Sequence, residues 1–92
     1  MSETRLTVII PAFNAGQHLS RCLASVLGMG QEGLEVVVVD DGSTDETHRI
    51  LEQFQREYEE LTVVSQRNRG LSGARNSGMA VASGRYCVFL DA

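Results

Sequence analysis

Four groups of residues in this 92-residue chain have the types and spacing to do chemistry. Asp40-Asp41-Gly42-Ser43 follows a run of four valines, and Asp91 follows Tyr86-Cys87-Val88-Phe89-Leu90. Pro11-Ala12-Phe13-Asn14 follows Leu6 to Ile10, and Arg67-Asn68-Arg69-Gly70 follows Leu61 to Ser65. Carboxylates so placed can accept hydrogen bonds from a ligand, hold a hard cation, or stabilise a helix N-terminus. Arginines from Arg67 to Arg75, beside Gly70 and Gly73, can meet phosphate oxygens, because glycine lets backbone amides approach an anion. Neighbouring side chains of a strand point oppositely, so Asp40 and Asp41 need not act as a pair. One can bind a ligand while the other holds the turn to Gly42; the competing assignment gives both to capping the next helix. His18 and His48 fall on predicted helices away from these groups and read as surface residues.

The elements that must position these groups are written in the apolar pattern. Leu6 to Ile10 is a β-branched run closed by Pro11, hence a strand. Asn14 can cap a helix over about 16–27, with Leu19, Cys22, Leu23, Val26 and Leu27 on one face. Glu35 to Asp40 is a second strand whose valines leave no polar face, the mark of a parallel strand covered on both sides. Ser43-Thr44-Asp45-Glu46 has the capping-box pattern, with Ser43 as the cap of a helix carrying Ile50, Leu51, Phe54 and Tyr58. Leu61 to Ser65 is a third strand. A helix over about 72–82, ended by Gly84, precedes a fourth strand, Tyr86 to Leu90. The order βαβαβαβ predicts an α/β, Rossmann-like, mainly parallel sheet with no internal domain boundary. All four chemical groups then lie at the carboxyl ends of strands, the edge where open α/β sheets bind ligands.

Composition narrows the function. With 42% hydrophobic and 22% charged residues the chain is globular in type, and no apolar run approaches the length of a membrane span. The net charge of −4 is uneven. Residues 1–60 carry eleven acids against four arginines, whereas residues 61–92 carry four arginines against Asp91, and there is no lysine. That division suits an anionic small molecule rather than nucleic acid. Cys22 and Cys87 match no metal spacing and read as reduced, buried small hydrophobes. The segment after the first strand lacks GxGxxG, and no GxxxxGK[ST] occurs, which demotes dinucleotide-binding and P-loop proteins. The absence of lysine demotes a phosphoacceptor-aspartate domain.

Taken in order, the stretches Thr7 to Asn14 (TVIIPAFN), Val36 to Asp45 (VVVVDDGSTD), Asn68 to Gly78 (NRGLSGARNSG) and Gly84 to Ala92 (GRYCVFLDA) closely resemble the amino-terminal, nucleotide-binding half of family-2 glycosyltransferases, which have the GT-A-type fold. The resemblance covers the chain from Arg5 onward. It implies transfer of a sugar from a nucleotide-diphosphate donor, expected to be UDP-linked, with inversion at the anomeric carbon. By the same resemblance, Pro11, Ala12 and Phe13 line the base and ribose, Asp41 accepts a hydrogen bond from the base, and Asp40 supports it. Asn68 and Arg75 border the nucleotide. Asp91 matches the first acid of a DxD-type motif, in which a divalent cation, manganese or magnesium, bridges the donor diphosphate.

The same comparison marks departures. The last acid of that motif, the acceptor-binding region and the catalytic base are missing from residues 1–92. The expectation is therefore a truncated glycosyltransferase domain, inactive alone, with an unknown sugar, lipid or protein acceptor. Three helices leave part of a four-stranded sheet uncovered, which agrees with a partial core. Two alternatives are a nucleotidyltransferase of related fold and a non-enzymatic nucleotide-binding regulatory module. The expected location is cytoplasmic, or the inner face of the membrane through the missing portion.

Overall fold

The computed structural model describes residues 3–91; Ala92, which closes the last matched motif, lies outside them. The elements run β1 (Leu6–Ala12), α1 (Gly16–Leu27), β2 (Leu34–Asp41), α2 (Thr47–Glu57), β3 (Leu61–Gln66), α3 (Gly70–Val81) and β4 (Tyr86–Phe89). The strands form one parallel sheet in the order β3-β2-β1-β4. The chain thus winds outward from β1 to β3, then returns through α3 to the other side of β1. That reversal is the topological switch at which open α/β sheets place a crevice.

The valine run explains the layering. Val36 to Val39 are all fully buried. Val36 and Val38 join Val8, Ile10, Leu19, Leu23, Leu27 and Leu51 on one face, beneath α1 and α2. Val37 and Val39 join Ile9 and Ala74 on the other, beneath α3. A strand with side chains on both faces must be apolar throughout, and each buried valine contributes about 1.5–3 kcal/mol. On α3 the inward positions are Ala74 and Gly78, four residues apart. A methyl group on Gly78 would overlap Ile9, so this helix can lie close to the sheet only because the residue is glycine.

Several boundaries differ from expectation. β1 continues through Pro11, which is in register with Val39, to Ala12. The reason lies in which way the peptide groups turn. Tyr86 N bonds to Arg5 O and Leu90 N to Ile9 O, so alternate residues of β1 address β4. Pro11 is next in that series, just past the last paired residue, Phe89. Its missing N–H therefore costs no bond to β2. Helix α3 begins at Gly70, two residues earlier than expected, and Ala82 follows it in an extended conformation. Gly84 does not end the helix. It is needed because a Cβ there would press on the Thr7 backbone and hydroxyl.

The cysteines divide. Cys22 is half-buried, as expected for a small hydrophobe, but Cys87 is exposed, like every residue of β4. Both thiols are free, and burial pushes that of Cys22 up, which makes it a poor nucleophile. β4 shows exposed side chains along its whole length, with Tyr86 70% and Val88 46% accessible. The uncovered part of the sheet inferred from the helix count is thus this strand. Among the described residues no helix is long and apolar enough to cross a membrane.

Candidate functional site

Five of the predicted donor-site residues come together. Pro11, Ala12, Phe13, Asp41 and Asn68 line one cleft of about 190 Å³ at the carboxyl edge of the sheet, with Gly70, Leu71 and Ala74 completing it. Phe13 and Leu71 are 52% and 53% exposed, so the cleft has two solvated apolar walls. Pattern reading missed Leu71 and Ala74 as lining residues. The available signal was an apolar leucine at the first turn of a helix, outside its buried stripe.

Asp40 and Asp41 take different parts, as opposite directions along a strand require. Asp40 Oδ1 accepts the amide of Ser43 at 3.0 Å and closes the turn. Asp41 Oδ1 accepts Gln66 Nε2 at 2.9 Å and the Arg69 amide at 2.8 Å, and Oδ2 accepts the Gly70 amide at 3.1 Å. Burial pushes the Asp41 carboxyl up, but these three donors and the Arg69 charge outweigh it and hold it below the usual range. It is ionised at neutral pH. An ionised carboxylate has about four acceptor positions, so Asp41 keeps one unused, and it lines the cleft. Gly42, between this acid and Ser43, has φ +81°, and a Cβ there would sit 2.8 Å from Asn68 N. Glycine is needed for the turn and for the close approach of Asn68, whose Oδ1 accepts the Gly70 amide at 3.2 Å.

The expected caps are replaced by others. Neither Asn14 nor Ser43 caps the helix that follows it, and none of the three helices is capped by its own N-cap side chain. Asp45 supplies two of the caps. Its Oδ2 accepts the Gly16 amide at 3.3 Å, at the start of α1, and its Oδ1 accepts the Thr47 amide at 2.9 Å, at the start of α2. Asp41 supplies the third, at the start of α3. In a parallel α/β array every helix points its N-terminus at the strand-exit edge. Anions are favoured there, and these two acids neutralise the protein's own helix ends. The side-chain and backbone donors of Thr47 hold the Asp45 carboxyl below its usual range, against a smaller effect of burial.

Asn14 and Ser43 are spent on tying loops instead. Asn14 Oδ1 accepts the amides of Thr44 at 2.7 Å and Asp45 at 3.3 Å, and the Asn14 amide donates to Ser43 Oγ at 3.0 Å. These bonds join the segment after β1 to the segment after β2.

Arg75 and Asp91 stand beside the cleft rather than in its lining. Arg75 Nη2 lies 3.9 Å from Asp91 Oδ1, and its guanidinium carbon is 5.4 Å from the centre of the Phe89 ring. An exposed pair at this distance contributes little to stability. Arg75 Nε is buried with no acceptor among the described residues. His18 and His48 are surface residues, His48 being 2.9 Å from Glu52 on the outer face of α2.

The parallel βαβ sheet with its cleft at the strand exits defines a GT-A-type, Rossmann-like domain. The sequence profile described as "Glycosyl transferase family 2" matches residues 7–92, and the chain belongs to that family. It is 38% identical over 91 residues to the uncharacterized glycosyltransferase YibD of Escherichia coli, covering 99% of this chain and 26% of YibD. Residues 1–349 of S. aureus TarS in complex with UDP superpose with a TM-score of 0.82 at 32% identity, over 95% of this chain and 27% of that one. Mannosyltransferase PcManGT of Pyrobaculum calidifontis, in complex with GDP-Man and Mn2+, gives 0.77 at 30% identity, over 99% and 28%. The chain thus spans about a quarter of the length of each.

The metal expectation can be tested on the side chains present. Among the described residues no three His, Cys, Asp or Glu groups converge as a metal site requires. Asp91 is 82% exposed and faces a guanidinium. One solvated carboxylate does not make the oxygen shell of a hard divalent cation, so residues 3–91 by themselves do not fit the metal.

Proposed function

We propose that this chain is the donor-nucleotide-binding part of a glycosyltransferase that takes a sugar from a nucleoside-diphosphate donor, UDP-linked, and inverts the anomeric centre. The observation that carries this reading is the convergence of Pro11, Ala12, Phe13, Asp41 and Asn68 on one cleft from four different elements and loops. Phe13 and Leu71 offer faces for a flat base and ribose. The unused acceptor of Asp41 suits an N–H on the edge of the base. Arg75 suits the diphosphate side, because a buried Nε without an acceptor is costly until an anionic oxygen meets it. As the sugar bond breaks, charge builds on the diphosphate, and the Arg75 guanidinium on that side would stabilise it.

The UDP complex of TarS and the GDP-Man complex of PcManGT support a nucleotide or nucleotide-sugar ligand for this fold. Asp40 and Asp41 are engaged by backbone donors and Asp91 lies with Arg75, so the base that deprotonates the acceptor is assigned to the parent protein outside this stretch. Calorimetry of the parent protein with UDP, GDP and UDP-linked sugars tests the reading. Binding of UDP and its sugars with micromolar to millimolar Kd is expected, and no binding of any nucleoside diphosphate would overturn it.

A further inference from the structure

Phe13 must be held at one height over the cleft if it is to meet a ligand that Asp41 also meets, yet the two belong to separate segments. Phe13 is half exposed and packs into neither core cluster. What fixes its segment is the residue after it. Asn14 has φ 50°, the left-handed region that side chains other than glycine and asparagine seldom adopt. In that conformation its Oδ1 reaches the amides of Thr44 and Asp45, thirty and thirty-one residues away, while its own amide reaches Ser43 Oγ. Two residues on, the Gly16 amide is held by Asp45 Oδ2. A Cβ on Gly16 would come within 2.8 Å of Glu46 Oε1, so the two segments are also in close contact there. All of these partners belong to the segment that starts with Asp40 and Asp41.

We infer that Asn14 is a positioning residue for donor binding: by clasping the Ser43–Asp45 segment it sets Phe13 at a fixed distance from Asp41, so that the two walls of the cleft act as one. This rests on the donor-nucleotide reading above. Asn14 touches no ligand in this account. It acts through Phe13, and its side chain serves only as an acceptor, because the bonds it makes all run into Oδ1.

The test uses the full-length parent protein, with UDP as the probe and a UDP-linked sugar for kinetics. Asn14→Gly keeps the left-handed backbone accessible and removes the clasp; Asn14→Asp keeps an acceptor oxygen. Asn14→Gly is expected to raise the UDP Kd and the donor KM about tenfold, the scale of one or two lost hydrogen bonds, with kcat held. Asn14→Asp should restore both to within about twofold. On a Phe13→Ala background, Asn14→Gly should have no further effect on Kd, because the coupled partner is already gone. Ser43→Ala, which removes one bond of the clasp, gives a milder version should Asn14→Gly fold poorly. An unchanged Kd in folded Asn14→Gly, effects that simply add to Phe13→Ala, or failure of Asn14→Asp to rescue would each overturn the inference while leaving the donor site standing. No UDP binding by the unaltered protein would remove both.

Discussion

Asp41 Oδ2 accepts the amide of Gly70 at 3.1 Å, joining the last residue of β2 to the first residue of α3 across 29 positions of sequence. The same carboxylate lines the cleft. One acid therefore anchors a helix and lines the proposed donor cleft, and its removal is expected to show in both properties.

Replacing Asp41 by alanine strands the Arg69 amide and Gln66 Nε2 and leaves the Gly70 amide to Asn68 Oδ1 alone. The parent protein should lose about 1–3 kcal/mol of stability in chemical denaturation, and UDP affinity should fall by a comparable amount. Ser43 cannot rescue the fold, because it caps no helix. Full stability together with unchanged UDP binding in calorimetry would contradict both roles.

Acid should loosen this edge of the sheet. The carboxyls of Asp41 and Asp45 both sit below their usual range in the folded chain. The unfolded chain thus takes up protons first as pH falls, so the stability these acids contribute is complete above about pH 5 and is lost below about pH 4. Denaturation midpoints measured from pH 6 to pH 3 should decline, and Asp45→Asn should flatten the decline. An equally steep curve for Asp45→Asn would show that Asp45 is not one of the groups responsible.

Phe13 and Leu71 contribute apolar faces to the cleft and little to the core, being 52% and 53% exposed. Phe13→Ala should leave the denaturation midpoint nearly unchanged and weaken UDP binding by about 1–3 kcal/mol, the range for losing an aromatic platform under a base. Leu71→Ala should weaken it less. A large stability loss with intact binding would reverse the assignment.

Residues 1–92 made alone should bind a hydrophobic dye. Tyr86, Val88, Phe89 and Leu90 are exposed on and after β4, and Met79 and Val81 are exposed at the end of α3. Apolar side chains grouped along an uncovered strand edge attract dyes and other chains. Val88→Asp should reduce dye fluorescence and self-association seen by light scattering. A monomer that binds no dye would show that this edge is not adhesive.

The layers were readable because their cause is local: four valines in a row can only be a strand covered twice. The gathering of Pro11, Ala12, Phe13, Asp41 and Asn68 was readable because parallel strands deliver their exits to one edge, and because the motifs carry a family resemblance. The caps were not. A serine before a helix looks like a cap in any local window, whereas the Gly16 amide that Asp45 holds and the Thr44 and Asp45 amides that Asn14 holds lie about thirty residues away. The exposure of Cys87 was hidden for a related reason. Its burial depends on what lies beside β4, which the apolar pattern of the strand cannot report.

Pro11 determines how the seam between β1 and β4 ends. The main chains are laced as far as Leu90 N and Ile9 O, and the next stitch would need an N–H that the pyrrolidine ring lacks. No rotamer change, counter-ion or neighbouring side chain can supply it. The seam therefore lacks one main-chain bond at Pro11, just past the last registered pair, Ile9 and Phe89. A bond missing from covalent structure is missing before any ligand arrives, so no binding energy goes into breaking it.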